Sequence, residues 1–439
     1  MSIPDAAFQP IQLTLPSLTP SLVLQVLPYG LTLQSLYVQA DGKTNDILIG
    51  PEDPHDHVSQ KYTNTIVGRY CNRLPVPEDG QGLQVEKNGI TATVTPRSNE
   101  KPTVSLHGGQ TGWDSLVWTP LLDPSEVKLF TADELQTIDA EITPPSGLVF
   151  TRTSEDGEEG FPGRVRVEVL VALVPPKGNQ IEKEQVNLGA VVLLYRAKLE
   201  EEGKVTPINL TQHWGFNLDA SLQVGPPSIK DHKLTIAAEN TVELDSTTAL
   251  STGRLLPVKG THHAHAEKET GKIGELFPQN GYDEFYLFTR TPSYIPTRIP
   301  SSSLASSLTT TDQTQGVNIV KQILDLRPDP STSPVTLESE KSGLKILFES
   351  NQSGVQFYTN NFASPSTNTR KRIHGGSTST SELGDGYPAG SAAFLEFHEP
   401  LAGWMNPGTR GVSGDDTVLG QGEVYNNFVR VDVLYRTRQ

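Results

Sequence analysis

The chain has 439 residues, a formal charge of −16 with a pI near 5.1, and one cysteine. Such acidity argues against a nucleic-acid or anionic-membrane partner, since both require a basic face, while an uncharged small molecule remains compatible. No apolar run is long enough to span a bilayer, and the lone Cys71 excludes an internal disulfide.

Residues 1–15 lack the basic segment and unbroken apolar stretch of a secretory signal. A single thiol suits a reducing compartment, so a soluble, cytoplasmic protein is expected. The 38 glycines and 33 prolines punctuate short segments rich in Val, Leu, Ile and Thr, which predicts many strands joined by turns. Residues 22–39 read as a hairpin around Pro28-Tyr29-Gly30. Residues 46–50 read as a short strand, followed by a polar loop over 51–65 with His55 and His57.

Further along, a strand pair is expected across Lys87-Asn88-Gly89, and residues 154–163 form an acidic turn. Residues 164–174 alternate basic and apolar side chains, as a half-buried strand does. Helix formers fill 195–202, yet the β-rich surroundings favour a strand over 191–198. Residues 291–334 and 364–391 are rich in Ser, Thr and Pro or Gly and read as mobile insertions. Strand-like material resumes after each, so one large all-β domain over residues 1–439 is the simplest organisation. Two fused sandwiches are the alternative.

Several separated runs carry a family resemblance. Gly68-Arg69-Tyr70-Cys71-Asn72-Arg73, Leu106-His107-Gly108-Gly109 with Trp113-Asp114 and Trp118, and the turn from Asp156 to Gly163 come first. Pro207-Ile208-Asn209-Leu210-Thr211-Gln212-His213, Gly281-Tyr282-Asp283, Gln356-Phe357-Tyr358, Leu395-Glu396 and Gly422-Glu423-Val424-Tyr425 follow. Together and in this order they resemble the aldose 1-epimerase (galactose mutarotase) family. The resemblance implies a large antiparallel β-sandwich, a free aldose as substrate, and no metal or organic cofactor. Departures from the family pattern are Gln212, Trp214-Gly215, His398 after the Leu-Glu pair, and His262-His263-Ala264-His265.

Interconverting anomers requires a base at the anomeric hydroxyl and an acid at the ring oxygen, and a carboxylate with an imidazole meets that need near neutral pH. Through the resemblance, Glu396 becomes the base and His213 the acid. From local sequence alone, an edge-strand carboxylate and a buried core histidine are the commoner occurrences. His107 is implied to bind near the ring oxygen, its Gly-Gly permitting close backbone approach to a ligand. Asp283, Asn72, Arg73 and Gln356 are implied to bind hydroxyls; a turn-capping aspartate and a strand-face amide are the bland readings of Asp283 and Gln356. The alternative for Arg69 is a structural partner in an ion pair, Trp113 or Trp214 offers a ring face to the sugar but is more often core packing, and Glu399 competes weakly with Glu396. His262, His263, His265 and Glu267 are more often an exposed loop than a metal site, and Cys71 reads as packing. A hexose-phosphate epimerase would need a basic cluster that the matched motifs lack; a non-catalytic sugar-binding protein would keep the pocket without the acid/base pair.

Overall fold

Successive residues on a strand face opposite ways, and in this chain that alternation divides the apolar residues between two cores. On the strands Val165–Val174 and Gln185–Leu199, the side chains of Val167, Val169, Val171, Val191, Leu193 and Tyr195 enter the main core. Leu170, Ala172, Val192 and Leu194, between them, enter a second one. The computed structural model describes residues 3–437 except 79, 142–145, 177–184, 290–292, 305–316, 328, 367 and 378–384.

Among the described residues these strands belong to a nine-stranded antiparallel sheet, whose central neighbour is Glu423–Arg436. A six-stranded sheet holds, in order, Gly215–Phe216, Ala393–His398, Gly354–Tyr358, Asp283–Phe288, Ala238–Leu244 and Ser251–Pro257. The main core unites the two: Val355, Phe357, Leu395 and Phe397 of the smaller sheet join Val431 and Val433 of the larger. At about 1.5–3 kcal/mol for each fully buried large apolar side chain, this shared layer dominates what holds the sandwich together.

The hairpin expected over 22–39 is present as Leu22–Leu27 and Thr32–Ala40, within a four-stranded sheet. Residues 191–198 lie inside the strand Gln185–Leu199, because ladder partners on both sides outweigh helix propensity. The strand expected over 46–50 instead runs Lys43–Asp46. Asp46 ends it by turning its Oδ1 to accept from the Leu36 and Leu48 amides, both at 3.1 Å.

Two helices were not legible. Ala132–Glu141 places Glu134 in a bidentate pair with the buried Arg196, at 2.7 Å for both bonds. Ile319–Asp325 packs beside it, burying Ile319, Val320, Ile323 and Leu324 in the second core with Ile295 and Ile299. The described parts of 291–334 therefore cover the outer face of the large sheet; sparse apolar residues suffice because they are spaced to face one way. The mobility expected of residues 291–292, 305–316 and 328 lies outside the described residues. In 364–391, Lys371 is buried, donating to Asp46 Oδ2 at 2.7 Å and Leu48 O at 2.8 Å, and His374 meets Tyr387 OH at 2.7 Å. Residues 367 and 378–384 of that stretch also lie outside the described residues.

Candidate active site

On the smaller sheet, the residues that face away from the core form a floor. Glu396 opposes Gln356 in register, and Phe394 opposes Tyr358, which opposes Asp283 on its other side. Leu395 and Phe397 point into the core, so Phe394 and Glu396 must point out of it. One alternation thus delivers two acids, an amide and two aromatic rings to a single surface.

His213 reaches this surface from the segment 209–216. Thr211 and Gln212 pair with Val67 and Ile66, while Gly215 and Phe216 pair with Phe394 and Ala393. Between these ladders, the His213 amide donates to Thr65 O and its carbonyl accepts from the Asn64 amide, each at 2.8 Å. Gln212 fixes the same turn by donating to Leu31 O at 3.1 Å and Asn64 O at 2.6 Å. Trp214 turns the other way, donating to Leu395 O at 2.8 Å from within the core. Gly215 leaves room for Phe394, since a Cβ there would stand 2.6 Å from the ring.

Asn72 and His107 stand just past the end of the ladder joining Arg73–Pro75 to Val104–Leu106. The His107 amide donates to Asn72 O at 2.9 Å, and the Asn72 amide donates to His107 Nδ1 at 3.2 Å. With Nδ1 accepting, the neutral ring carries its proton on Nε2. Gly108 and Gly109 serve the protein and not the ligand: added Cβ atoms would collide with Gly68 O and the Glu159 side chain, respectively. That corrects the expectation that they admit a sugar.

These parts enclose a cavity of about 340 Å³, within the range usual for small-molecule sites. His213 Nε2 lies 3.2 Å from Glu396 Oε1. The His107 and His213 rings meet edge to face, centroids 5.4 Å apart, and Phe394 backs His213 at 4.8 Å. Around the rim of the pair runs a chain of bonds: Asn72 Nδ2 donates to Gln356 Oε1 at 3.3 Å, and Gln356 Nε2 donates to Asp283 Oδ1 at 2.8 Å. Arg73 holds Glu100 through two bonds of 2.8 Å and approaches Asp283 Oδ2 at 4.0 Å.

Burial governs the electrostatics. It pushes the Glu396 carboxyl well above its ordinary range; the Asp283 charge adds to this and Arg73 opposes it. It pulls His213 down to about 4, with His398 contributing in the same direction and backbone hydrogen bonds opposing. His107 is pulled well down by burial, then by His213 and Arg73. Asp283 is raised by burial, against Arg73 and the Gln356 bond. Burial thus favours the neutral pair, with the proton on Glu396 and His213 uncharged.

All seven expected site residues, Glu396, His213, His107, Asp283, Asn72, Arg73 and Gln356, line this cavity. Arg69 does not: it is buried, donating to Pro162 O, Gly163 O and Ser154 Oγ rather than to a carboxylate. Trp113 and Trp214 are core residues, and the aromatic lining is Tyr62, Tyr358, Phe362 and Phe394. Period-two counting from Gln356 and Glu396 would have found Tyr358 and Phe394. Nothing local marks Tyr62, which arrives on the 51–65 loop with Ser59, Gln60, Lys61 and Thr63.

Donor atoms of His107, His213 and Glu396 lie within 4.8 Å of one another, so a divalent cation would find two imidazoles and a carboxylate there. The 262–267 loop is packed instead of exposed at its centre: His263 Nδ1 and His265 Nε2 meet the Tyr286 hydroxyl at 2.9 and 3.1 Å. Glu399 is buried off the cavity, accepting from Ser413 Oγ at 3.1 Å. The acidic turn is a brace, its Glu158 Oε1 accepting from Trp113 Nε1 and Ser154 Oγ, both at 2.9 Å.

The family model described as aldose 1-epimerase matches residues 17–385, a span that stops short of Glu396. Galactose mutarotase of Pongo abelii is 30% identical over 266 residues, which is 59% of this chain and 62% of that protein. Aldose 1-epimerase of Escherichia coli (strain K12) is 24% identical over 226 residues, 51% of each chain. These matches take in less than two thirds of the relatives' own lengths. In fold, the chain is similar to an aldose epimerase homologue from C. elegans, with a TM-score of 0.64 at 18% identity, covering 98% of this chain and 99% of that one. A galactose 1-epimerase from Lactobacillus acidophilus NCFM superposes with a TM-score of 0.56 at 14% identity, covering 97% and 98%.

Proposed function

Since the chain belongs to the aldose 1-epimerase family, we propose that it interconverts the α and β anomers of a free hexose of the galactose or glucose kind. Glu396 takes the proton of the C1 hydroxyl while His213 gives a proton to the ring oxygen. The bond between C1 and the ring oxygen breaks, and the open-chain aldehyde forms. Rotation about the adjoining C–C bond presents the other face, and closure returns both protons.

The observation that carries this reading is the 3.2 Å approach of His213 Nε2 to Glu396 Oε1 inside a sugar-sized cavity. Opening converts the charged pair, carboxylate and imidazolium, into the neutral pair that burial favours. The charged pair must therefore form first from the neutral pair that burial favours, and ring opening restores the neutral one. Each positioned proton-transfer group is worth roughly 10²–10⁴-fold, and the chemistry needs no metal or organic cofactor. His107, Asn72, Arg73, Asp283 and Gln356 hold the ring by hydrogen bonds to its oxygen and hydroxyls.

A phosphorylated hexose fits less well. Arg73 is engaged by Glu100, which leaves Lys61 as the free cation among the described lining residues. A cytoplasmic setting suits the buried free thiol of Cys71, and among the described residues no helix is long and apolar enough to cross a membrane. Polarimetry on freshly dissolved α-galactose and α-glucose tests the activity: faster relaxation with protein is expected, and unaltered relaxation with measurable sugar binding would make this a binding protein.

A further inference from the structure

The loop over residues 51–65 does more than lay Tyr62 edge-on to His107, at 4.8 Å between centroids. Its Gln60 also lines the cavity, half-buried, and is tied down at both ends. The Gln60 backbone amide donates to Asp56 O at 2.9 Å. Its side-chain Nε2 lies 3.0 Å from Thr369 Oγ1, which in turn lies 2.9 Å from Asp56 Oδ2. Main chain and side chain of one residue are thus fastened to one aspartate. The link between them is a buried threonine, from the segment that carries Asn368 into the opposite lining.

Proton counting orients the amide. A hydroxyl has one hydrogen to give, and a carboxylate only accepts. Thr369 therefore donates to Asp56 and can only accept from Gln60, which sets the NH2 end of the amide against Thr369. The carbonyl oxygen, Oε1, is the end left for the cavity, and among the described residues it has no partner. The base of the loop is fixed by the same logic. Gln34 donates through Nε2 to Pro51 O at 3.0 Å, so its Oε1 accepts from Nε2 of the buried His57 at 2.6 Å. Asp53 caps the turn Pro54–Val58 by accepting from the His55 amide at 2.9 Å. An acceptor on a loop anchored in this way is set before a ligand arrives, so little side-chain freedom is lost when a hydroxyl meets it.

We propose that Gln60 is a further sugar-binding residue, its Oε1 accepting from one hydroxyl of the aldose, and that Thr369 is the positioning residue that aims it. The proposal rests on the sugar-site reading of the cavity, and Gln60 takes no part in the proton transfers. A neutral carbonyl acceptor selects a hydroxyl at that position and disfavours the oxygens of a phosphate or carboxylate. It also discriminates against a sugar that lacks the hydroxyl, which would leave the acceptor unpaired.

The test measures kcat and KM for galactose and for its deoxy forms lacking in turn the hydroxyl at C2, C3, C4 or C6. It uses the wild type, Gln60→Met, Thr369→Val and Thr369→Ser. Gln60→Met keeps the length of the side chain without the acceptor. It is expected to raise KM for galactose about three- to tenfold with kcat held, the mark of a contact made equally before and during reaction. One deoxy form should show no difference between wild type and Gln60→Met, since hydroxyl and acceptor form one coupled pair. Thr369→Val, which releases the amide, should raise KM in the same direction; Thr369→Ser, which keeps the hydroxyl, should recover the wild-type value. Equal KM in wild type and Gln60→Met would overturn the proposal. So would a rise shared by galactose and every deoxy form, which marks a general disturbance of the loop, and a KM indifferent to Thr369→Val would overturn the role of Thr369. If galactose is not turned over, the acid/base reading fails separately, and calorimetric affinities for the same sugars take the place of KM. A weakening by Gln60→Met that spares one deoxy form then supports the contact, and affinity that is absent or indifferent to the substitution overturns it.

Discussion

Gln356 and Glu396 are register partners on adjacent antiparallel strands, so their side chains emerge side by side on the same face of the sheet. Gln356 in turn holds Asp283 at 2.8 Å. The acid/base carboxyl is therefore set in a row of polar groups fixed by backbone ladders and not by loops. Five expectations follow from that placement.

Glu396→Gln and His213→Asn should each lower kcat by roughly 10²–10⁴-fold. The double variant should lose little more than either one, because one proton donor without an acceptor, or the reverse, already stops the exchange. Polarimetric progress curves check this, with circular dichroism to confirm folding. Full activity in Glu396→Gln would reject the assignment.

The pH profile of kcat/KM should show no acid limb in the ordinary histidine range. Below about 4, His213 gains a second proton for the pair and the acceptor is lost. Above the raised range of Glu396 the last proton leaves and the donor is lost. The acid limb thus lies below the ordinary histidine range of about 6.5. A decline centred near that ordinary value would contradict the burial argument.

Gln356→Leu should raise KM more than it lowers kcat. It leaves Asn72 Nδ2 and Asp283 Oδ1 without their mutual link, and an unpaired buried polar group costs about 1–3 kcal/mol. Initial rates across sugar concentration separate the two constants; a change in kcat alone would place Gln356 in the chemistry itself.

Exhaustive chelation should leave the activity intact, since the proton transfers need only the two side chains. Added zinc should inhibit in competition with sugar, because His107, His213 and Glu396 bring donor atoms within 4.8 Å of one another. Activity lost on chelation and restored by metal would reverse the role given to these three residues.

Gly215→Ala should destabilise the protein by about 1–3 kcal/mol, the usual cost of overpacking. Its Cβ would stand 2.6 Å from the Phe394 ring, which backs His213 at 4.8 Å. Thermal denaturation reads the loss, and Phe394→Leu in the same chain should recover part of it. An unchanged Tm would show that the ring moves freely.

Legibility followed periodicity. The strands Val165–Val174 and Gln185–Leu199 were readable because apolar and β-branched runs between turn residues have one economical burial. The helix Ala132–Glu141 was not, since its reason for being is Arg196, a buried cation on a distant strand that Glu134 neutralises. Residues 291–334 are poor in large apolar groups, although Ile295, Ile299, Ile319, Val320, Ile323 and Leu324 close the second core.

By itself the sequence determined the order of strands and turns, the acidic surface, and the identity of the groups able to exchange protons. Only the tertiary structure decided that Glu396 and His213 meet, that Tyr62 joins them from a loop, and that Trp113 and Trp214 do not. The physical reason is that side-chain type is local, whereas contact between residues so far apart along the chain is set by ladder register. A one-residue slip of the strand Ala393–His398 would turn Glu396 into the core and Leu395 into the cavity.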